Sequence, residues 1–159
     1  MAIKIRNLIL ELNSACNNNC IYCYLPQSAE IQKINSNNYF KKNLLNFRKK
    51  NVESVDFTGG EPTLSGKLFE LARFAKGIGY FNRTLVTNGR MLAYEDYCQK
   101  VFDSGINAVV LSFDGPNEKI ADAVTGVPGS FKQVVKAIKN LKKIGSIKIG
   151  ATIVVNKIN

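Results

Sequence analysis

Histidine is absent from all 159 residues, which removes both the commonest general base and the commonest metal ligand. Any chemistry must therefore run on cysteine, carboxylates, hydroxyls or a bound cofactor. Long apolar runs are missing too. The longest, residues 108–111 and 151–155, fall far short of the roughly 20 residues that a bilayer helix needs. The apolar stretch at 7–10, following Lys4 and Arg6, is too short for a secretory h-region, and no small-residue cleavage site comes after it. A cytoplasmic location is expected, where thiols stay reduced. Acidic residues are few: 12 Asp and Glu against 22 Lys and Arg give a formal charge of +10. The lysines are spread along the chain on outer helix faces, so their surplus reads as solvated surface and not as a nucleic-acid site. Low-complexity linkers and strong internal repeats are absent. The 45% apolar and 21% charged composition fits one globular domain.

What is present is an alternation of short β-branched runs with amphipathic stretches. Strands are expected at 8–13, 54–58, 84–87, 109–112 and 147–155, each nearly continuous in apolar character, as parallel strands covered on both faces would be. Between them, Phe40, Leu44 and Phe47 line a first helix with Ser36 as N-cap. Leu68, Leu71, Ala72, Ala75 and Ile78 line a second. A weaker helix covers about 94–103. The clearest carries Phe131, Val134, Val135, Ile138, Leu141 and Ile144 inward and Lys132, Lys136, Lys139 and Lys143 outward. Ser130 with Gln133 forms its capping-box pattern, and Gly145 stops it. The repeated β-α order predicts an α/β fold with a parallel sheet and right-handed crossovers. A doubly wound sheet is the alternative to an open, partial TIM-type barrel of about five βα units; the motifs favour the barrel.

In such folds functional groups gather at the carboxyl ends of strands, and the unusual motifs of this chain all fall there. CNNNCIYCY (16–24) follows the first strand, TGGEP (58–62) the second, VTNG (86–89) ends the third and SFDG (112–115) the fourth. Cys16, Cys20 and Cys23 are close enough for one loop to wrap a metal centre. A disulfide is disfavoured by the expected reducing compartment. Spacing alone leaves a zinc site and an iron-sulfur cluster both open. Cys98, far along the chain on a helix, reads as a small core residue. Gly59 and Gly60 allow close approach of the backbone to a ligand. Glu61 puts a carboxylate at the cleft floor, suited to an ammonium group. Read singly, 87–89, Ser112 and Asp114 are turn and cap residues; their joint placement at successive strand ends is the informative feature.

Taken together these motifs resemble the radical S-adenosylmethionine (SAM) superfamily over nearly the whole chain. The Cys-x3-Cys-x2-Cys pattern with Tyr22 before the last cysteine matches that family's signature, and Gly59-Gly60-Glu61-Pro62 matches its SAM-ammonium motif. The resemblance implies that Cys16, Cys20 and Cys23 hold a [4Fe-4S] cluster whose open iron is chelated by the methionine part of SAM. It further implies that Tyr22 lies near the adenine. By the same resemblance, Gly59, Gly60 and Glu61 would hold the ammonium, Thr87, Asn88 and Ser112 would contact the methionyl or ribose groups, Asp114 matches the acidic residue of the Ser-x-Asp-Gly segment, and Val154 would offer backbone hydrogen bonds to the adenine. The activity implied is reductive cleavage of SAM to a 5′-deoxyadenosyl radical. The CNNNCIYCY form, SFDGP and GVPGSF (126–131) are similar to the SPASM/twitch peptide-modifying and sulfatase-maturase-like branch. That branch implies a peptide or protein substrate and a flavodoxin- or ferredoxin-type electron donor.

Two departures qualify the match. Where relatives read His-Asp and then Arg-Gly, this chain has Ala121-Asp122 and Thr125-Gly126, and the replaced Arg commonly pairs with the SAM carboxylate. Residues 1–159 are expected to be a radical SAM core lacking a sixth strand and the C-terminal auxiliary-cluster region, which a companion chain would supply. The alternatives are a truncated or split non-catalytic fragment that binds a cluster, and a zinc or iron-sulfur interaction module.

Overall fold

The computed structural model describes residues 5–25 and 36–159; Lys4 lies outside the described residues. Five parallel strands form one open sheet in sequence order: β1 (Asn7–Glu11), β2 (Ser54–Thr58), β3 (Asn82–Thr87), β4 (Ala108–Ser112) and β5 (Lys148–Thr152). The connecting helices are α1 (Asn37–Arg48), α2 (Leu68–Gly77), α3 (Glu95–Asp103), α4 (Glu118–Thr125) and α5 (Ser130–Ile144), with short 3-10 turns at Pro62–Leu64 and Arg90–Ala93. The partial-barrel expectation holds: every neighbouring pair is parallel and the sheet does not close.

The expected helical stripes make the core. Leu8, Leu10, Val55, Phe57, Leu85, Val109 and Leu111 are buried against Phe40, Leu44, Leu68, Leu71, Val134, Ala137 and Leu141. Each leucine, valine and phenylalanine among them contributes about 1.5–3 kcal/mol on leaving water. The strands are not covered on both faces, however. Burial alternates along β1, β2 and β4, and Ile9, between buried Leu8 and Leu10, is 62% exposed. One face carries the helices; the other is open. β5 is exposed at all five positions and stops at Thr152, before the expected residue 155.

Two local expectations need correction at α5. A short amphipathic helix, α4, precedes it, capped by the Asn117 side chain and closed by left-handed Gly126. The capping box of Ser130 and Gln133 does not form, because Gly129 is the N-cap and Ser130 is already helical. Instead, Asp122 of α4 supplies the cap: its carboxylate accepts from the Gly129 N–H at 2.5 Å, the Phe131 N–H at 2.9 Å and the Ser130 hydroxyl at 2.8 Å. A carboxylate satisfies these orphan donors better than a hydroxyl, since it also opposes the positive end of the helix dipole. Burial alone would raise the Asp122 pKa, but the donors from Phe131, Gly129 and Ser130 outweigh it and hold the group below its ordinary value. Asp122→Ala is therefore expected to cost about 1 kcal/mol in urea unfolding at neutral pH. A group with a depressed folded pKa stabilises above its unfolded pKa and loses that effect as pH falls through the folded value, so the difference between variant and wild type shrinks in acid.

Candidate functional site

The carboxyl edge of the sheet brings the cysteine loop, the Gly-Gly-Glu turn and the ends of β3 and β4 together. The chain leaving β1 runs against the turn after β2. Leu12 N–H donates to Thr58 O at 2.8 Å, Gly60 N–H to Asn13 O at 2.8 Å and Glu61 N–H to Ala15 O at 2.7 Å. This contact explains the two glycines. A Cβ on Gly59, whose φ is +145°, would stand 2.5 Å from Asn13 O, and one on Gly60 would stand 2.4 Å from Ser14 O. The space a side chain would need is filled by the backbone that leads into Cys16.

Glu61 is fully buried, and four protein donors converge on its carboxylate. Oε1 accepts from Thr63 N–H at 3.0 Å, Thr63 Oγ1 at 2.5 Å and Thr87 Oγ1 at 2.6 Å; Oε2 accepts from Asn88 N–H at 2.8 Å. Thus Glu61 clamps the end of β2 to the end of β3, a structural task that the sequence reading did not include. Thr87 is buried, and its hydroxyl also accepts from Gly89 N–H. Asn88 extends its Nδ2 to Asn17 Oδ1 at 2.6 Å and toward Cys16 Sγ at 3.9 Å.

All three loop cysteines are free thiols, Cys16 and Cys23 exposed and Cys20 half-buried. Asn18 N–H points at Cys16 Sγ, 3.4 Å away, and the Cys23 N–H closes a turn onto Cys20 O at 3.0 Å. Cys16 is within electrostatic reach of both Cys20 and Cys23. Loss of hydration pushes both the Cys16 and Cys20 thiols up; the Asn18 N–H partly offsets this at Cys16, and Tyr22 does so at Cys20. Raised thiols become thiolates readily only when a cation compensates them. Among the described residues, no three His, Cys, Asp or Glu side chains converge as ligands of a single metal ion.

α4 holds this loop from the other side. Asn19 N–H donates to Thr125 O at 2.9 Å and Ile21 N–H to Val124 O at 3.0 Å, so the residues flanking Cys20 are fixed by backbone bonds. Thr125 is buried with its hydroxyl 2.7 Å from Ser130 Oγ. Tyr22 donates to Asp114 Oδ1 at 2.8 Å, tying the loop to the end of β4, and burial together with this carboxylate pushes the Tyr22 pKa well up. Desolvation raises the Asp114 pKa, with Tyr22 and the Val154 N–H acting against it. Val154 lies beyond β5, and its carbonyl accepts from Asn156 and Asn159 side chains. The half-buried Ser112 ends β4 beside Thr152 of β5. Motif reading missed Arg90, whose guanidinium bonds the Asn17 carbonyl; the only sequence signal was a bulky cation directly after the Asn88-Gly89 turn.

An open parallel sheet whose carboxyl edge carries a three-cysteine loop defines a class of α/β core built to present a cofactor. The pattern of the Radical SAM superfamily matches residues 10–159, and the chain belongs to that superfamily. It is 30% identical over 161 residues to the probable GTP 3′,8-cyclase of Saccharolobus solfataricus, covering 98% of this chain and 49% of that protein. The chain thus spans about half the length of this curated relative. Among solved structures it is similar to anSMEcpe with bound AdoMet and the Cp18Cys peptide (TM-score 0.71, 25% identity, 91% of this chain and 42% of that one). It also shares its fold with SuiB of Streptococcus suis (TM-score 0.79, 20% identity, 95% and 33%). Among the described residues no helix is long and apolar enough to cross a membrane.

Proposed function

We propose that residues 1–159 form the cluster- and SAM-binding core of a radical enzyme acting on a peptide or protein side chain. The observation that carries this reading is the packing of the cysteine loop on the Gly-Gly-Glu turn, with Gly60 and Glu61 N–H groups bound to Asn13 and Ala15 carbonyls. The donor set suits the group: three free thiols lie on one loop, with Cys16 within electrostatic reach of the other two, and thiolates are the ligands of iron-sulfur clusters. Cys16, Cys20 and Cys23 hold the [4Fe-4S] cluster. When bound, the cluster and SAM would supply one-electron reductive cleavage of the sulfonium and, through it, radical hydrogen abstraction from the substrate.

The chain's own residues hold the geometry. The Gly59–Glu61 turn, Thr87, Asn88 and Ser112 border the space for the methionyl and ribose groups, and Tyr22, Asp114 and the Val154 backbone border the adenine. Tyr22 keeps the buried Asp114 hydrogen-bonded at the end of β4, and the Glu61 clamp keeps β2 and β3 in register under the ligand. Thr125 supplies no cation for the SAM carboxylate. The peptide substrate is supported by the likeness to anSMEcpe, which has been solved with a peptide bound. A flavodoxin- or ferredoxin-type protein is the electron donor this reading requires.

Anaerobic reconstitution is expected to load about four irons per chain. Reduction should give an EPR signal that changes on adding SAM, with 5′-deoxyadenosine formed under dithionite. Stoichiometric zinc without iron uptake would exclude the reading in favour of a zinc module. Iron uptake without 5′-deoxyadenosine would reduce it to cluster binding alone.

A further inference from the structure

Arg90, the first residue of the 3-10 turn after β3, reaches two separate parts of the molecule with one side chain. Its Nε donates to Gln133 Oε1 of α5 at 2.6 Å, while Nη1 donates to the Asn17 carbonyl and to Asn18 Oδ1 at 3.3 Å. Its backbone N–H donates to Asn88 Oδ1 at 3.1 Å. The anchor end is rigid, because buried Asn140 pins α5 to the same turn through the Leu92 and Ala93 carbonyls at 2.9 and 3.0 Å. The loop end is where it matters. Two N–H groups are directed at the Cys16 sulfur, from Asn18 and Asn88; the Arg90 guanidinium holds the Asn18 side-chain oxygen, and only the Arg90 backbone N–H holds that of Asn88.

We propose that Arg90 is a positioning residue for Cys16: its guanidinium spans α5 and the cysteine loop and so keeps the Asn18 N–H on the Cys16 sulfur. The proposal rests on the cluster reading above. Hydrogen bonds to a ligating sulfur stabilise the added negative charge of a reduced cluster, so they raise its reduction potential. A planar fork suits this task. A lysine carries the same charge on a single nitrogen and cannot bond Gln133, Asn17 and Asn18 in the same geometry.

The test uses the full chain and its Arg90→Gln, Arg90→Lys and Gln133→Ala variants, reconstituted anaerobically and titrated against potential by EPR. Arg90→Gln is expected to keep its iron. At the potential where the wild type is half reduced, its reduced-to-oxidised ratio should fall about tenfold, which is about 59 mV for a one-electron couple. Arg90→Lys should shift in the same direction, because charge without the fork does not hold the Asn17–Asn18 segment, and Gln133→Ala should shift less. In the iron-free chain, hydrogen exchange of amides 17–19 should speed up in both Arg90 variants while the sheet is unchanged. Unchanged potential in Arg90→Gln with full iron overturns the proposal, as does an Arg90→Lys variant that matches wild type. If Arg90→Gln takes up no iron, Gln133→Ala decides: no shift there overturns it. A wild type that takes up no iron overturns the cluster reading, and this proposal with it.

Discussion

Glu61→Ala is expected to be the most destabilising single side-chain truncation at the site, by about 2–6 kcal/mol. The estimate comes from the donors left behind. Removing the carboxylate strips acceptors from Thr63 N–H, Thr63 Oγ1, Thr87 Oγ1 and Asn88 N–H, at a position with no exposed surface. The two hydroxyls can rotate to other acceptors; the two amides cannot. Each buried amide without a partner costs about 1–3 kcal/mol, which sets the range. Glu61→Gln separates acceptor loss from loss of the side chain's bulk. The amide oxygen still serves the Thr63 and Thr87 side of the cluster, but its NH2 then faces the Asn88 N–H, donor against donor. The loss should be roughly half that of alanine, since bonds to a neutral oxygen are weaker. Urea unfolding with an unchanged m-value measures both. A loss below about 1 kcal/mol for Glu61→Ala would mean that water or a shifted backbone satisfies those amides, and that the clamp between β2 and β3 is not what holds the turn. A second readout follows from position: Asn88 contacts Asn17 and Cys16, so both variants should also loosen the cysteine loop.

What could be read from the sequence follows physical reach. The core stripes of α2 and α5 and the strand at 54–58 appear as expected because each is set by local periodicity and burial. α4 was missed because its apolar face is only Ile120, Ala121 and Val124, too short for a periodic signal, although Asn117 and Gly126 were available as cap residues. The N-cap of α5 was misassigned because the better acceptor, Asp122, belongs to the preceding helix and reaches it only after folding. The site shows the same division. That the four motifs share one edge follows from parallel topology alone. That Glu61 faces protein donors, that Gly59 and Gly60 accommodate backbone, and that Arg90 bridges α5 to the loop depend on contacts between distant segments. No local pattern encodes those.

Cys20→Ala is expected to abolish cluster assembly, while Cys98→Ala leaves it intact, and the structure makes the comparison clean. The backbone on either side of Cys20 is held by Asn19 N–H to Thr125 O and Ile21 N–H to Val124 O, bonds that do not involve the thiol. Alanine at position 20 therefore leaves the loop in place and removes only a ligand. The iron-free variant should unfold within about 0.5 kcal/mol of the iron-free wild type, as expected for a substitution away from the core. A three-thiolate cluster reduced to two ligands is not retained, so iron content and visible absorption should fall to background. Cys98 stands opposite in every respect. It is 1% exposed on α3 within the core, and burial, with Glu95 nearby, pushes its thiol up to about 11, so it stays a protonated packing group. Cys98→Ala leaves a small cavity and should cost about 1 kcal/mol with full iron retained. Equal iron loss in the two variants would draw Cys98 into the ligand set. Full iron in Cys20→Ala would remove the cysteine loop from it, and with the loop the assignment of the whole edge as a cofactor site.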